Sequence, residues 1–238
     1  MRTLISLSSF LILSTAQAAP PVMTLLAPAN HTMPFANFQN GEMVGGFLKD
    51  FGDVLAKRIG YTARFHTVPG KRVALALIQG EADGVCFVAH NWIDGDFKWT
   101  RPIIPATGVI VAHTSAPVIN AIRDLANERL GTVLGYRYPE LEVALGTAML
   151  RDDAPSVQHS IAKLGASRSR YAVVDGITIA YHMKLHPQAP MRVDFVYLKY
   201  KASCAFALTS PVKLADVDRA LAAMANDGTI EALFDKYR

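Results

Sequence analysis

The chain has 238 residues, of which 51% are hydrophobic and 18% charged. That composition supports a packed globule and excludes a mostly disordered chain, while two cysteines exclude a disulfide scaffold or a cysteine-rich zinc module. The formal net charge is +4 and no run of four Lys/Arg occurs, so neither a nucleic-acid tract nor a nucleic-acid partner is expected.

The first residues read as a secretory signal. Arg2 is the positive start, Leu4 to Leu13 is mostly apolar, and Ala16-Gln17-Ala18 is a small-x-small cleavage site. The apolar run is about half of the roughly 20 residues a membrane span needs. Cleavage after Ala18, export and no stable membrane insertion are therefore expected.

Apolar periodicity then predicts strands alternating with helices. Val22 to Ala27 is a first strand, ended by Pro28 and Asn30-His31-Thr32. Phe47, Leu48, Phe51, Val54, Leu55 and Ile59 recur at helical spacing, closed by Gly60. Tyr61 to Val68 alternates as a strand, Lys71 to Gln79 is a helix, and Gly84 to Ala89 is a strand. A helix ending at Gly165 and a strand from Tyr171 to Val174, ending in Asp175, echo this unit later in the chain. Pro105 to His113 and Phe195 to Leu208 are extended connections, and helices at Leu214 to Asn226 and Thr229 to Tyr237 close the chain. The expected fold is α/β with two lobes: residues 19–108 with 201–238, and residues 109–200. Each lobe is a mixed, mostly parallel sheet flanked by helices. The two connections make a hinge suited to closure around a ligand.

Six segments, in order, carry a resemblance: MPFANFQNGEMVGGFLKDFGDVLAKRIGY, VPGKRVALALIQGEADGV, FKWTRPIIPATGVIVA, LGTVLGYRYPELE, YAVVDGITIAY and VDRALAAMANDGTIEALFDKYR. Together they resemble the solute-binding proteins of ABC importers, in the family that binds polar amino acids with the type II periplasmic binding fold. The resemblance implies a monomeric periplasmic protein that binds a small polar ligand, partners a membrane permease, and uses no cofactor or metal.

In an open α/β sheet, ligands sit beyond the carboxyl ends of the strands. That selects four loops. The first is His31 to Phe38, where Phe35 and Phe38 offer an aromatic face; Phe35 stands where the family often has a stacking aromatic. The second is His90-Asn91-Trp92-Ile93-Asp94. There the family usually carries Thr-x-x-Arg, whose arginine clamps the ligand carboxylate, and this chain has no arginine until Arg101. Such a charge-assisted pair is worth about 1.5–3 kcal/mol. Either another cation substitutes, or the ligand is not an ordinary α-amino acid; Trp92 offers a stacking face. The third loop is Gly135-Tyr136-Arg137-Tyr138-Pro139, in which Arg137 is the candidate replacement clamp beside Tyr136. The fourth is Asp175, which matches the family aspartate that accepts an ammonium group and also suits a helix N-cap. Arg72 and Asp50 match further family positions; Arg72 is taken as a binding residue of the cleft rim, and Asp50 is equally suited to a structural role.

No Gly-x-Ser-x-Gly, phosphate-loop or dinucleotide pattern occurs, so a binding protein rather than an enzyme is expected. Similar two-lobed proteins host dehydratase-type chemistry, for which His90 and Asp175 are the candidates. A ligand-sensing module for a receptor is a further alternative. His182 and His186 share a helix face but lack the glutamate of a zinc-peptidase motif. The resemblance puts Cys86 and Cys204 on neighbouring strands, where a bridge and two buried thiols both remain open.

Overall fold

A computed structural model describes residues 19–237, and the expected signal at residues 1–18 lies outside them. Strand β1 (Val22–Pro28) leads to a hairpin absent from the expected elements, β2 (Asn37–Gln39) and β3 (Glu42–Gly45). Asn40 and Gly41 turn it with φ of 51° and 82°. Asn-Gly suits such a turn because both central residues need positive φ. Helix α1 (Phe47–Arg58) buries Phe47, Leu48, Phe51 and Leu55 along one face.

Strand β4 (Thr62–Val68) is followed by a 3-10 turn at Gly70–Arg72 and α2 (Val73–Ile78), which is shorter than the helix expected there. Then come β5 (Gly84–Val88), β6 (Lys98–Trp99) and the ten-residue β7 (Ile104–His113). The middle of the chain supplies β8 (Arg129–Val133), α3 (Pro139–Leu145), β9 (Leu150–Ala154), α4 (Val157–Gly165), β10 (Tyr171–Asp175) and α5 (Gly176–Leu185). Strand β11 (Met191–Phe206) begins four residues earlier than the sequence suggests, and α6 (Leu214–Asn226) and α7 (Thr229–Asp235) end the chain.

The strand order is β4-β1-β5-β11-β7-β10-β8-β9, with β6 pairing β11. Strands β4, β1 and β5 are parallel, as are β10, β8 and β9. Between the two sets, β11 and β7 run antiparallel to each other and to their outer neighbours. This is the two-lobed fold with a two-strand hinge. At 16 residues, β11 is roughly 50 Å long, enough to serve both lobes. Its first part pairs with β7 up to Ala202, and its last residues pair with β5.

The cores follow this division. Phe47, Phe51, Leu55, Phe206, Leu221 and Met224 belong to one cluster; Leu26, Leu77 and Val85 belong to another beside it. Ile110, Leu130, Leu141 and Tyr171 form a third cluster, and Val111, Val133, Leu164 and Val174 a fourth. Cys86 and Cys204 face each other across β5 and β11 and form a disulfide, which settles the open choice. Asp50 accepts a hydrogen bond from Tyr237, at 2.7 Å, and pairs with Lys236, so it ties the C-terminus to α1. Among the described residues, no helix is long and apolar enough to cross a membrane.

Candidate functional site

A cavity of about 140 Å³ lies where the two halves of the sheet meet. That is close to the volume of an engineered protein cavity that admits benzene, about 150 Å³. One wall comes from the loop after β1, the end of β5 and the loop after it, with His31, Phe35, Phe87 and Trp92; the other from the loop after β8 and the end of β10, with Tyr136 and Asp175. Strand β11 passes beside it and contributes Tyr197 and Tyr200.

The apolar wall is built from packed rings. Phe35 is 3% exposed and sits with its ring centre 4.4 Å from that of Phe87. Strands β5 and β11 slip register between Ser203 and Cys204, and Phe87, opposite that slip, has φ 65°. A bulge re-aims a side chain, which accounts for a strand phenylalanine lining the cavity. A bulky residue in this conformation costs about 1–3 kcal/mol, so the surrounding packing must hold it there. Trp92 meets Tyr200 edge-on, with ring centres 5.1 Å apart.

The polar groups come chiefly from the opposite wall. Asp175 caps α5 by accepting the Ile177 N–H at 3.3 Å, and it also accepts the Tyr200 hydroxyl. Both roles of the sequence reading therefore meet in one side chain: it caps a helix and it lines the cavity. Burial pushes its carboxyl up to about 7, partly offset by those two hydrogen bonds. Asp175 keeps some accessible surface and lines the cavity. Burial also raises the Tyr200 and Tyr197 hydroxyls far above the usual range, with the Asp175 charge adding to both. His31 is lowered to about 4 by burial, so the imidazole is neutral at neutral pH.

The two walls are joined directly. The Tyr136 hydroxyl and His31 Nδ1 are 2.9 Å apart. Asn30 donates to the Leu134 carbonyl at 3.1 Å, and the Val157 N–H donates to the Asn30 carbonyl at 3.2 Å. Arg137 forms a two-pronged ion pair with Asp94, one prong at 2.9 Å.

Of the expected site residues, Phe35, Trp92, Tyr136, Arg137 and Asp175 line this cavity. Asn91 does not; it is exposed on the loop before Trp92. Arg72 does not either, because it turns away to Glu81, 2.6 Å distant. Arg137 reaches the cavity rim, but its guanidinium is already taken by Asp94, so it joins walls rather than standing free as a clamp. His90 stacks on Trp99 with ring centres 3.9 Å apart and is not among the lining residues, which removes it as a partner for Asp175. Phe87, Tyr197, Tyr200 and Glu140 also line it and lie outside the four loops selected from the sequence, whereas His31 begins the first of those loops. The two β11 tyrosines had a usable signal, since a hinge strand must pass beside the cleft. Phe87 had none, because its direction depends on the bulge.

Comparison with known proteins agrees with this architecture. No curated protein sequence matches the chain. An ancestral arginine-binding protein bound to arginine superposes with a TM-score of 0.78 at 19% identity, covering 92% of this chain and 99% of that one. A histidine kinase sensor domain with similarity to periplasmic binding proteins gives 0.74 at 18% identity, covering 92% and 96%. The ancestral amino acid-binding protein AncCDT-1, a precursor of cyclohexadienyl dehydratase, gives 0.74 at 20% identity, covering 91% and 95%. These likenesses establish the shared fold. The sequence profile of the bacterial extracellular solute-binding proteins, family 3, matches residues 26–238, and the chain belongs to that family.

Proposed function

We propose that this protein is a periplasmic solute-binding protein that closes two lobes over a small solute and delivers it to the permease of an ABC importer. The observation that carries the reading is the cavity itself, walled from both halves of the sheet and bridged by His31–Tyr136 and Asp94–Arg137. Lobes of 19–108 with 201–238, and 109–200, would hinge on β7 and β11. The signal at residues 1–18 would be cleaved after Ala18 and the mature protein would act as a monomer.

Binding without turnover is favoured by the polar groups. His31 is engaged by Tyr136 and Asp175 by Tyr200 and the helix it caps, so neither is arranged as a base beside a nucleophile. The test is a thermal-shift screen of amino acids, amines, organic acids and sugars, followed by small-angle scattering with any stabilising compound. A ligand should raise Tm by mass action and reduce the radius of gyration. Chemical conversion of the bound compound would replace this reading with an enzyme, and capture of a receptor in place of a permease would replace transport with sensing.

A further inference from the structure

Among the described residues that line it, the cavity is acidic and aromatic, and its one arginine is already paired; Lys71 and Arg151 line the adjoining pocket instead. Asp175 and Glu140 are its two carboxylate-bearing lining residues. Arg137 is the one arginine or lysine among them, and both of its terminal nitrogens are committed to Asp94. His31 adds no positive charge at neutral pH, because burial lowers it to about 4.

The N–H groups at the starts of the two helices beside the cavity, α1 and α5, are already taken. At the start of α1 the Phe47 N–H donates to the Pro34 carbonyl at 2.7 Å, and the Leu48 N–H to the Phe35 carbonyl at 2.9 Å. At the start of α5 the Ile177 N–H is taken by Asp175. An incoming carboxylate would meet a carboxylate there instead of free donors. By contrast, Asp175 uses two of its roughly four acceptor sites on Tyr200 and Ile177, leaving acceptor capacity on a side chain that lines the cavity. Trp92, Phe35 and Tyr197 also line the cavity, and aromatic rings attract cations.

We propose that the solute is a small organic cation: an amine on a compact apolar or aromatic body, without a carboxylate, held by Asp175 and the surrounding rings. This rests on the solute-binding reading and narrows its ligand. The volume of about 140 Å³ suits a body of roughly one six-membered ring, and a second pocket sharing Trp92, Tyr136 and Arg137 adjoins it. Asp175 carries its negative charge when the cation arrives, so binding releases a proton wherever the empty site would hold one.

The test uses four probes that share a ring and differ in charge: benzylamine, benzyl alcohol, benzoate and L-phenylalanine. Titration calorimetry at pH 8 is expected to show benzylamine binding at least tenfold more tightly than the other three. At pH 6, heats measured in buffers of different ionisation enthalpy are expected to reveal proton release. Asp175→Asn keeps a good N-cap, so the fold should persist by circular dichroism. Benzylamine affinity in that variant should fall roughly 10- to 100-fold. Benzoate or L-phenylalanine binding more tightly than benzylamine overturns the proposal. So does an Asp175→Asn variant within twofold of wild type, or the absence of binding across benzylamine, cyclohexylamine and trimethylamine at millimolar concentration. A carboxylate-bearing compound that closes the lobes in scattering would overturn the amine class while leaving the solute-binding reading intact. Failure of every compound class to alter scattering would remove both.

Discussion

The Tyr136 hydroxyl lies 2.9 Å from His31 Nδ1, and this hydrogen bond, with that from Asn30 to the Leu134 carbonyl, connects the loop after β8 to the loop after β1 beside the cavity. Tyr136→Phe removes it while keeping the ring. A hydrogen bond of this kind contributes about 0.5–1.5 kcal/mol. Ligand affinity should therefore fall roughly 2- to 10-fold, with little change in Tm, because the loss falls on closure rather than on either core. Titration calorimetry and small-angle scattering check this together; an unchanged affinity would detach the bond from closure.

Arg137 and Asp94 form a further bridge, but their side chains are 46% and 77% exposed. Exposed pairs are worth about 0.2–1 kcal/mol and are screened by salt. Arg137→Ala should weaken binding less than about fivefold, and the difference should shrink as salt is raised. A loss of 30-fold or more would restore Arg137 as a direct ligand clamp.

Gly135 tests closure sterically. It has φ 87°, and a Cβ placed there would lie 3.0 Å from the Lys71 backbone nitrogen on the facing loop. Gly135→Ala should strain the loop by about 1 kcal/mol and hold the loops apart. The expected outcome is weaker ligand binding with a larger radius of gyration in the saturated protein than wild type shows.

Asp175 makes stability depend on pH. Its carboxyl rises to about 7 in the folded protein from a model-compound value of 3.8. Between those values the folded state binds more protons than the unfolded state, so stability falls as pH rises through that window. At about 1.4 kcal/mol per unit, the loss amounts to a few kcal/mol. Below about pH 4 both states are protonated and the penalty is absent. Asp175→Asn should flatten the dependence, raising Tm above wild type at pH 8 and matching it near pH 4. Parallel Tm curves for the two proteins would contradict this.

The Cys86–Cys204 bridge spans 118 residues of sequence. In the chain-entropy picture a closed loop of that size stabilises by roughly 4–5 kcal/mol. For a protein of this length that corresponds to a Tm loss of roughly 10–15 °C when the bond is removed. A Cys86→Ala/Cys204→Ala double variant, or wild type under reductant, should show the loss by scanning calorimetry. A shift below 2 °C would mean that the unfolded chain gains little freedom.

Much of the fold was legible because it depends on local patterning. The helical spacing of Phe47, Leu48, Phe51 and Leu55 and the apolar strand ending at Asp175 are written in neighbouring residues. The order of strands and helices pointed to two lobes joined by a hinge. The Asn40-Gly41 hairpin was equally local, and its dipeptide was a sufficient signal that the expected elements omitted. Arg72 was misplaced because a short 3-10 turn precedes α2, and its rotation delivers the side chain to Glu81 rather than to the cleft.

The sequence by itself determined the type of protein: elements set by periodicity, a hinge set by chain order, and an acid at the end of β10. Tertiary structure decided the character of the site. Whether Arg137 stands free depends on Asp94, 43 positions away, and whether Asp175 is hydrated depends on Tyr200 and the walls that enclose both. Charge state and side-chain direction are set by neighbours in space. A linear chain specifies those neighbours only once β7 and β11 have brought the two halves together.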